Sequence, residues 1–439
     1  MWNVGGRFMR SFQYILFLCI GLFLLSSCGN KNTEDQIGAT QGSDHDGVVT
    51  QDQDSDFESF DFKDKISTIS AAPSDSLKIV ADSSNHLYAI GVINMGEGGA
   101  STSHGMIWKS MDEGKNWDIF QDFFPVGTRF NQLSDILLVD DQTLYVVGNI
   151  DYRRWIVRKS MDRGKSWAIV DDFIEGEFSK AFKIRKDNDG NLFVAGTMMD
   201  TSGTIEHTVI RMSNDKGATW QTIKDFTYQD FRETHLVGFE IDPKNGYLYM
   251  GCNAQAKRPG VAPGVDDYKW LVLRSVDSGQ NWQIVDDFKT VSSERVTLRG
   301  LKIDQQGYVY TVGNVSEIND SKRENYWIVR KSIDQGESFS MVDRVLGASP
   351  NYINIDSKNR VFVVGEGNFE GANENLWMTR LSEDGGMTWK MIDRARGSNK
   401  LRRSSNYGVY IDSKDQIYFP GVVVYSDGIQ RKIIRKLKW

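Results

Sequence analysis

Runs of alternating apolar and polar residues recur along the chain from about residue 57 to its end. In residues 156–173, one such run lies on each side of a short segment rich in serine, aspartate and glycine, and both runs contain β-branched residues. A period of two places every second side chain on one face of a strand, so the segment predicts a β-hairpin. Its recurrence predicts an all-β fold.

The turn of this hairpin occurs six times in the form Ser-x-Asp-x-Gly-x-x-Trp, with Phe in place of Trp in the fifth copy. The copies are Ser110, Asp112, Gly114, Trp117; Ser160, Asp162, Gly164, Trp167; Ser213, Asp215, Gly217, Trp220; Ser275, Asp277, Gly279, Trp282; Ser332, Asp334, Gly336, Phe339; and Ser382, Asp384, Gly386, Trp389. Successive copies lie roughly 50 to 62 residues apart, the length of a four-stranded propeller blade rather than of a helical repeat. Serine and aspartate oxygens bond turn amides and glycine allows a positive φ, so folding alone explains these residue types.

This repeat resembles the Asp-box, or bacterial neuraminidase repeat, of sialidase-like β-propellers. The resemblance covers residues 110–389 and implies a propeller fold. It leaves the activity open, because Asp-box propellers include sialidases, plant-cell-wall glycanases, sorting-receptor ectodomains and a photosystem assembly factor. In those families the box lies on the face away from the active site, which implies a structural role for the six copies.

Seven segments consist of an apolar strand, a turn and a second strand that ends in glycine, one segment more than there are Asp-boxes. They are residues 77–91, 135–148, 182–196, 239–251, 301–313, 353–365 and 409–421. The seventh unit lacks a fourth strand, and residues 57–63 resemble the strand that closes the fourth unit. We therefore predict one seven-bladed β-propeller of four-stranded blades over residues 57–439, with the last blade closed by an N-terminal strand. Six blades are the alternative.

The first 27 residues predict a secretory signal. Residues 12–25 are apolar but too short for a good membrane span, and basic residues precede them. The sequence Leu-Ser-Ser-Cys that ends at Cys28 resembles the lipobox of bacterial lipoproteins, which implies that Cys28 carries a lipid. The alternatives are an uncleaved anchor, or an ordinary signal with an incidental cysteine.

Residues 28–56 are polar, acidic and almost free of large apolar side chains, so they predict a flexible tether. Gly29 is not an acidic retention signal of the kind described for inner-membrane lipoproteins. The expected location is therefore the cell envelope, at the outer membrane, with the lipid on Cys28 as the membrane contact.

Charge and residue types exclude several classes of function. A net charge of -7 argues against a nucleic-acid partner. The five histidines have no metal-ligand spacing, and no phosphate-binding or nucleophile motif occurs, so neither a metal nor a cofactor is expected. After removal of the signal and acylation of Cys28, Cys252 is the one cysteine left, so no disulfide forms within the chain.

Binding residues are expected in the connections that differ between units, on the rim opposite the Asp-box turns. The candidates are Tyr152, Arg153, Arg154, Arg258, Tyr268, Arg323 and Tyr326, which suit contacts with sugars or protein loops. By contrast, two sets of residues recur at fixed distances before the Asp-box serines and are expected to pack between blades. They are Trp155, Trp270, Trp327 and Trp377, and Arg158, Arg211, Arg330 and Arg380.

A sialidase is disfavoured, because the Phe/Tyr-Arg-Ile-Pro motif of that family is absent and residues 76–123 contain no arginine. Other glycosidases need two suitably spaced carboxylates. Asp151, Asp266, Asp267, Glu317, Glu366 and Glu370 are available for that role. The sequence favours a monomeric envelope lipoprotein that binds a glycan or an envelope protein without catalysis. A glycoside hydrolase and an envelope assembly or scaffold factor are the alternatives.

Overall fold

The computed structural model describes residues 57–61, 78–95, 102–229, 231–256, 268–367, 376–394, 401–406, 408–412, 414–425 and 430–438. The predicted signal and tether, with Cys28, lie outside these residues, as does Arg258. Every regular element within them is a β-strand, and none of these described segments contains a helix able to cross a membrane.

Twenty-nine strands are described, and most are six to nine residues long. In chain order they are β1 Phe57–Asp61, β2 Lys78–Ala81, β3 Leu87–Met95, β4 Thr102–Ser110, β5 Asp118–Phe123, β6 Asn131–Leu138, β7 Leu144–Ile150, β8 Arg154–Ser160, β9 Ala168–Phe173, β10 Phe178–Lys186, β11 Leu192–Met199, β12 Glu206–Ser213, β13 Gln221–Phe226, β14 Glu233–Ile241, β15 Leu248–Gln255, β16 Tyr268–Ser275, β17 Gln283–Phe288, β18 Ser293–Ile303, β19 Val309–Asn319, β20 Lys322–Ser332, β21 Ser340–Leu346, β22 Ala348–Ile355, β23 Val361–Gly367, β24 Leu376–Ser382, β25 Lys390–Arg394, β26 Leu401–Asn406, β27 Tyr410–Ile411, β28 Ile417–Tyr425 and β29 Gln430–Leu437.

Consecutive strands pair antiparallel in groups of four, which we name sheets A (β2–β5), B (β6–β9), C (β10–β13), D (β14–β17), E (β18–β21) and F (β22–β25). Sheets C and D are also joined by one parallel bridge, between Glu206 and Glu233. Sheet G contains β26, β27, β28, β29 and β1. In it β1 pairs antiparallel with β29, with Phe57 opposite Leu437, so the N-terminal strand pairs with the last unit as the sequence predicts.

The first strands of successive sheets contact one another. The contacts run from β2 through β6, β10, β14, β18 and β22 to β27, and β27 also contacts β2. In each sheet the turns between strands one and two and between strands three and four lie at the same end, which we call the turn end. The connection between strands two and three lies at the opposite end, the loop end.

Tryptophans of the third strands fill the space between neighbouring sheets. Trp155, Trp270, Trp327 and Trp377 are all fully buried. Each tryptophan ring fills the space that a Cβ would need on one glycine in the second strand of the following sheet. These glycines are Gly196, Gly313, Gly365 and Gly421. The repeat therefore requires glycine where the tryptophan ring is inserted, in agreement with the packing role expected from the sequence.

Buried ion pairs also join neighbouring sheets. An arginine of the third strand bonds an aspartate of the fourth strand in the preceding sheet. The pairs are Arg211–Asp171, Arg330–Asp286, Arg380–Asp343 and Arg435–Asp393. Arg158 occupies the same position, but Gln121 replaces the aspartate, and the guanidinium lies 4.5 Å from the centre of the Phe123 ring. Burial lowers the pKa of Arg158 to about 10.

The Ser-x-Asp-x-Gly turns are held by their own side chains. Ser160 Oγ donates to Asp162 Oδ1 at 2.8 Å and accepts from the Gly164 amide at 2.8 Å. Asp162 Oδ1 also accepts from the Ser166 amide at 2.9 Å, and Trp167 Nε1 donates to the Gly164 carbonyl at 2.8 Å. Gly164 has a φ of 83°, which few residues with a Cβ adopt. These bonds account for each residue type of the repeat by folding alone.

Three of these turns are further bonded to the preceding sheet by a tyrosine of its second strand. The hydroxyls of Tyr145, Tyr249 and Tyr310 donate to carbonyls at Lys216, Gln335 and Gly385, at 2.7, 2.9 and 3.0 Å. The turns therefore connect sheets as well as strands.

Acid is expected to destabilise the protein partly through these turns. Hydrogen bonds from the Ser166 side chain and amide, and from Ser160, lower the pKa of Asp162 to about 2. Because an unfolded aspartate has a pKa of about 3.9, the stability contributed by Asp162 is complete above about pH 4 and is lost as pH falls through 2.

The variant Asp162→Asn should therefore be less stable than the wild type at pH 7 but equally stable near pH 2. The measurement is the free energy of unfolding by circular dichroism as a function of pH. Asp118→Asn, which changes an exposed carboxylate of the neighbouring sheet, is the control. If the difference in unfolding free energy between Asp162→Asn and the wild type does not change with pH, the ionised Asp162 carboxylate is not what stabilises the turn.

Candidate functional site

The predicted rim residues of sheet B lie at its loop end. Tyr152, in the connection between β7 and β8, stacks on Phe178 with ring centres 5.7 Å apart and contacts Phe130 at 5.0 Å. Arg153 forms an exposed ion pair with Glu177 at 3.3 Å. Arg154 bonds an aspartate of its own sheet, Asp172. All three side chains thus contact neighbours at this end of the sheet.

The other described rim candidates lie in sheets D and E. Tyr268 and Tyr326 pack against one apolar cluster that includes Trp270. The Tyr326 hydroxyl donates to Glu324 Oε2 at 2.6 Å. Arg323 bonds Glu294 at 2.6 Å. The structure therefore brings Tyr268 and Tyr326 together, but not with the residues of sheet B, and none of these six side chains lines the cavity described next.

A cavity lies between the first strands of the sheets. It has two adjoining parts, of about 520 Å³ and 200 Å³, which share lining residues. Lys78, Lys302 and Tyr352 line both parts, and the larger part also contains residues of β10, β14 and β18. We call this space the inner cavity. Its lining comes from several sheets, so it depends on the arrangement of the whole domain.

β-Bulges in the first strands direct consecutive residues into the inner cavity. The register of β10 shifts between Ala181 and Lys183, and that of β22 shifts between Pro350 and Tyr352. In β10 both Phe182 and Lys183 line the cavity. A regular strand would direct only every second side chain there. Bulges often re-aim side chains beside functional sites in this way.

Four charged side chains of the inner cavity form one chain of ion pairs. Arg185 lies between two carboxylates, bonding Asp135 at 2.7 Å and Glu240 at 2.8 and 2.9 Å. Lys302 bonds Glu240 at 2.7 Å. Burial raises the pKa of Glu240, but Arg185 and Lys302 outweigh burial and lower it to about 2. Glu240 is therefore a carboxylate at neutral pH.

Two further lysines of the cavity have no such partner. Lys78 Nζ lies 4.0 Å and Lys183 Nζ 5.9 Å from the centre of the Tyr352 ring. Neither ammonium forms an ion pair with a carboxylate in the part of the chain that the structure describes. Burial, and then the charge of Lys78, lower the pKa of Lys183.

These positive charges also act on Tyr352. Burial raises its pKa, but Lys78, Lys302 and Lys183 outweigh burial and lower it to about 7. The lining contains five lysine and arginine side chains and three acidic side chains in a protein whose net charge is -7. Within the described residues, no group of three or more His, Cys, Asp or Glu is arranged to hold a metal. The inner cavity is thus positively charged in an acidic protein.

Comparisons with known proteins leave the family open but show the fold. No family model matches the chain, and no curated protein matches it. Among solved structures, an ulvan lyase bound to a GlcA(1-4)Rha3S saccharide is similar over 84% of this chain and 94% of its own, with a TM-score of 0.54 and 9% identity. The polysaccharide lyase Uly1 is similar over 84% and 90%, with a TM-score of 0.53 and 10% identity.

A third similar structure, YCF48 bound to D1 peptide, covers 88% of this chain and 97% of its own length, with a TM-score of 0.51 and 14% identity. The chain has a β-propeller fold. At these identities the similarity concerns the arrangement of strands alone, so substrates and partners do not follow from it.

Proposed function

We propose that this β-propeller binds a glycan or a protein partner in and around its inner cavity, without catalysing a reaction. The observation that carries the proposal is the cavity itself, about 520 Å³ in its larger part, lined by charged, polar and aromatic side chains of several sheets. Cavities of this size with a few convergent polar groups are typical binding sites. The similar structures bound to a saccharide and to a peptide support either kind of partner.

The blade count is part of this proposal. Seven groups of strands, the pairing of β1 with β29 and the contacts of β27 with β2 support a ring of seven blades closed by the N-terminal strand. Pairing of β1 with β29 covers the outer edge of the third strand of the last unit, which would otherwise be unpaired. The four tryptophan–glycine contacts and four arginine–aspartate pairs between consecutive sheets favour the same arrangement.

The cellular location also remains a proposal. The lipobox-like sequence before Cys28 and the acidic segment that follows support a lipid-anchored envelope protein, at the outer membrane where there are two membranes. Metabolic labelling with a fatty-acid analogue tests it. Label should enter the wild type and be lost in Cys28→Ala, and equal labelling of both would refute the anchor.

A screen of the full chain in detergent on glycan and envelope-protein arrays tests the binding function. Each bound glycan is recovered and analysed by mass spectrometry. Binding with intact glycan, or binding of an envelope protein, is the expected result. Recovery of shortened glycan would replace the proposal with an enzymatic function, and the absence of binding to both arrays would refute it.

A glycan-cleaving enzyme is the second candidate, because two of the similar structures are polysaccharide lyases. Of the described carboxylates suggested by the sequence, Asp151 accepts two backbone amides, Glu317 bonds Arg344, and only Glu366 lines the inner cavity. A glycosidase needs one protonated and one ionised carboxyl group on the two sides of the scissile bond. Glu240 and Glu366 both line the larger part of the inner cavity, but Glu240 is held ionised by Arg185 and Lys302 and cannot serve as the protonated partner, which favours binding over hydrolysis.

A further inference from the structure

We propose that the inner cavity binds an oxyanion, a carboxylate or a sulfate, carried by an acidic saccharide and held between Lys78, Lys183 and Tyr352. The inference rests on the proposed binding function and specifies its ligand. It follows from an imbalance of charge in the cavity rather than from similarity to other proteins.

The imbalance can be located. Asp135 and Glu240 neutralise Arg185 and Lys302, which they contact at 2.7 to 2.9 Å. Two further charged groups of the lining are bonded to neutral side chains, Arg299 to Asn314 at 3.3 Å and Glu366 to Ser405 at 2.9 Å. Lys78 and Lys183 remain, and both ammonium groups face the ring of Tyr352. A charge withdrawn from bulk water is stabilised by an opposite charge, and an uncompensated pair of cations in a partly enclosed space attracts an anion strongly.

The neutral residues of the cavity favour a saccharide over an acidic peptide. The rings of Phe182 and Tyr352 supply apolar faces, and the hydroxyl of Ser405, which donates to Glu366 at 2.9 Å, can accept a hydrogen bond. Aromatic faces combined with a few hydrogen-bonding groups suit the C–H faces and hydroxyls of a sugar ring. An acidic peptide remains a possible outcome of the test.

Tyr352 makes the site sensitive to pH. When protonated, its hydroxyl can donate a hydrogen bond to a bound oxyanion. When ionised, its phenolate offsets the positive charge of the lysines and repels an anionic ligand. The charged groups that line the cavity with it are Lys78 on β2, Lys183 and Arg185 on β10, Lys302 and Arg299 on β18, Asp135 on β6, Glu240 on β14 and Glu366 on β23, and His235 on β14 is a further titratable group there. Since its pKa is about 7 and that of Lys183 is lowered, a rise in pH removes positive charge from the cavity and weakens anion binding.

The test is isothermal titration calorimetry of the full chain in detergent with four probes. These are an oligogalacturonate hexasaccharide, which carries carboxylates, a heparin-derived hexasaccharide, which also carries sulfates, neutral cellohexaose and polyglutamate. We expect one or both acidic saccharides to bind and cellohexaose not to bind. The comparison of the two acidic probes identifies the preferred oxyanion.

The variants Lys78→Gln and Lys183→Gln should each weaken binding about tenfold, while Lys183→Arg retains it. Lys186→Gln is the matched control, because Lys186 is an exposed lysine at the end of the same strand. Circular dichroism establishes first that each variant is folded. The wild type should lose affinity as pH rises above 7. The variant Tyr352→Phe should lose much less, so at pH 8.5 this variant should bind more tightly than the wild type.

Several outcomes would overturn the inference. Equal affinity for cellohexaose, binding of polyglutamate alone, no binding of any probe, or affinities unchanged in both lysine-to-glutamine variants each contradict it. The first two leave the proposed function intact, because a neutral glycan or a protein partner satisfies it. The proposed function is removed as well if binding fails on both arrays described above, or if shortened glycan is recovered from them.

Discussion

Gly313→Ala is expected to destabilise the protein by about 3 kcal/mol or more, which is a large effect for the addition of one methyl group. The new Cβ would lie 2.1 Å from the Thr297 carbonyl oxygen and 2.6 Å from Trp270 Cζ3. Neither group can move freely, since the carbonyl belongs to the neighbouring strand of sheet E and the ring is fully buried between sheets D and E. The measurement is the free energy of unfolding by denaturant titration.

Gly251→Ala is the matched control, because Gly251 occupies the same position of the repeat in sheet D. There the preceding sheet carries Thr208 in place of the tryptophan, and the added Cβ meets the end of the Leu298 side chain at 2.6 Å. A leucine methyl can move by a change of rotamer, so the cost should stay below about 1.5 kcal/mol. Equal losses in the two variants would mean that the tryptophan and the carbonyl do not set the requirement for glycine.

The repeat made much of the fold predictable, because each blade-like unit is encoded locally. Alternating strands, a turn and a glycine recur in register, so the strands and the pairing of β1 with β29 could be inferred from the sequence. Comparison between copies also separated repeated residues such as Trp270 and Arg330 from variable ones. Both are buried between sheets, as their recurrence indicates.

The inner cavity was not predicted, because its residues are far apart in sequence and lie in strands that otherwise serve the core. The variable loops predicted binding residues at the rim, whereas Lys78, Lys183 and Tyr352 belong to the first strands of their sheets. The register shifts that turn adjacent residues into the cavity leave no simple periodicity.

One signal was nevertheless present in the sequence. The position two residues before the aspartate of the first turn is charged in three successive units, at Arg185, Glu240 and Lys302. A strand buried on both faces would carry apolar residues there, so an alignment of the first strands would have indicated a charged interior. The partners of these charges, and the lysines left without one, required the three-dimensional arrangement.

The second large effect is expected at the ion pair between sheets E and F. Arg380 bonds Asp343 through two nitrogens, at 2.7 and 2.9 Å, and the side chains are only 15% and 7% exposed. Burial raises the pKa of Asp343, so this carboxylate depends on its partner to remain ionised. Arg380→Met should cost about 3 kcal/mol in the free energy of unfolding, and adding Asp343→Leu should recover most of that loss, because the unpaired buried charge is then removed.

Arg158→Met separates the ion pair from the packing of the arginine stem. Arg158 holds the same position of the repeat and packs on Phe123, but the position of the partner aspartate is occupied by Gln121. Its buried charge has no carboxylate partner among the described residues, so a methionine of similar length should leave the stability unchanged or raise it. If Arg158→Met instead lost as much stability as Arg380→Met, stacking on the neighbouring ring would explain both results. If the two variants differ as expected, the aspartate is what makes a buried arginine stabilising between these sheets.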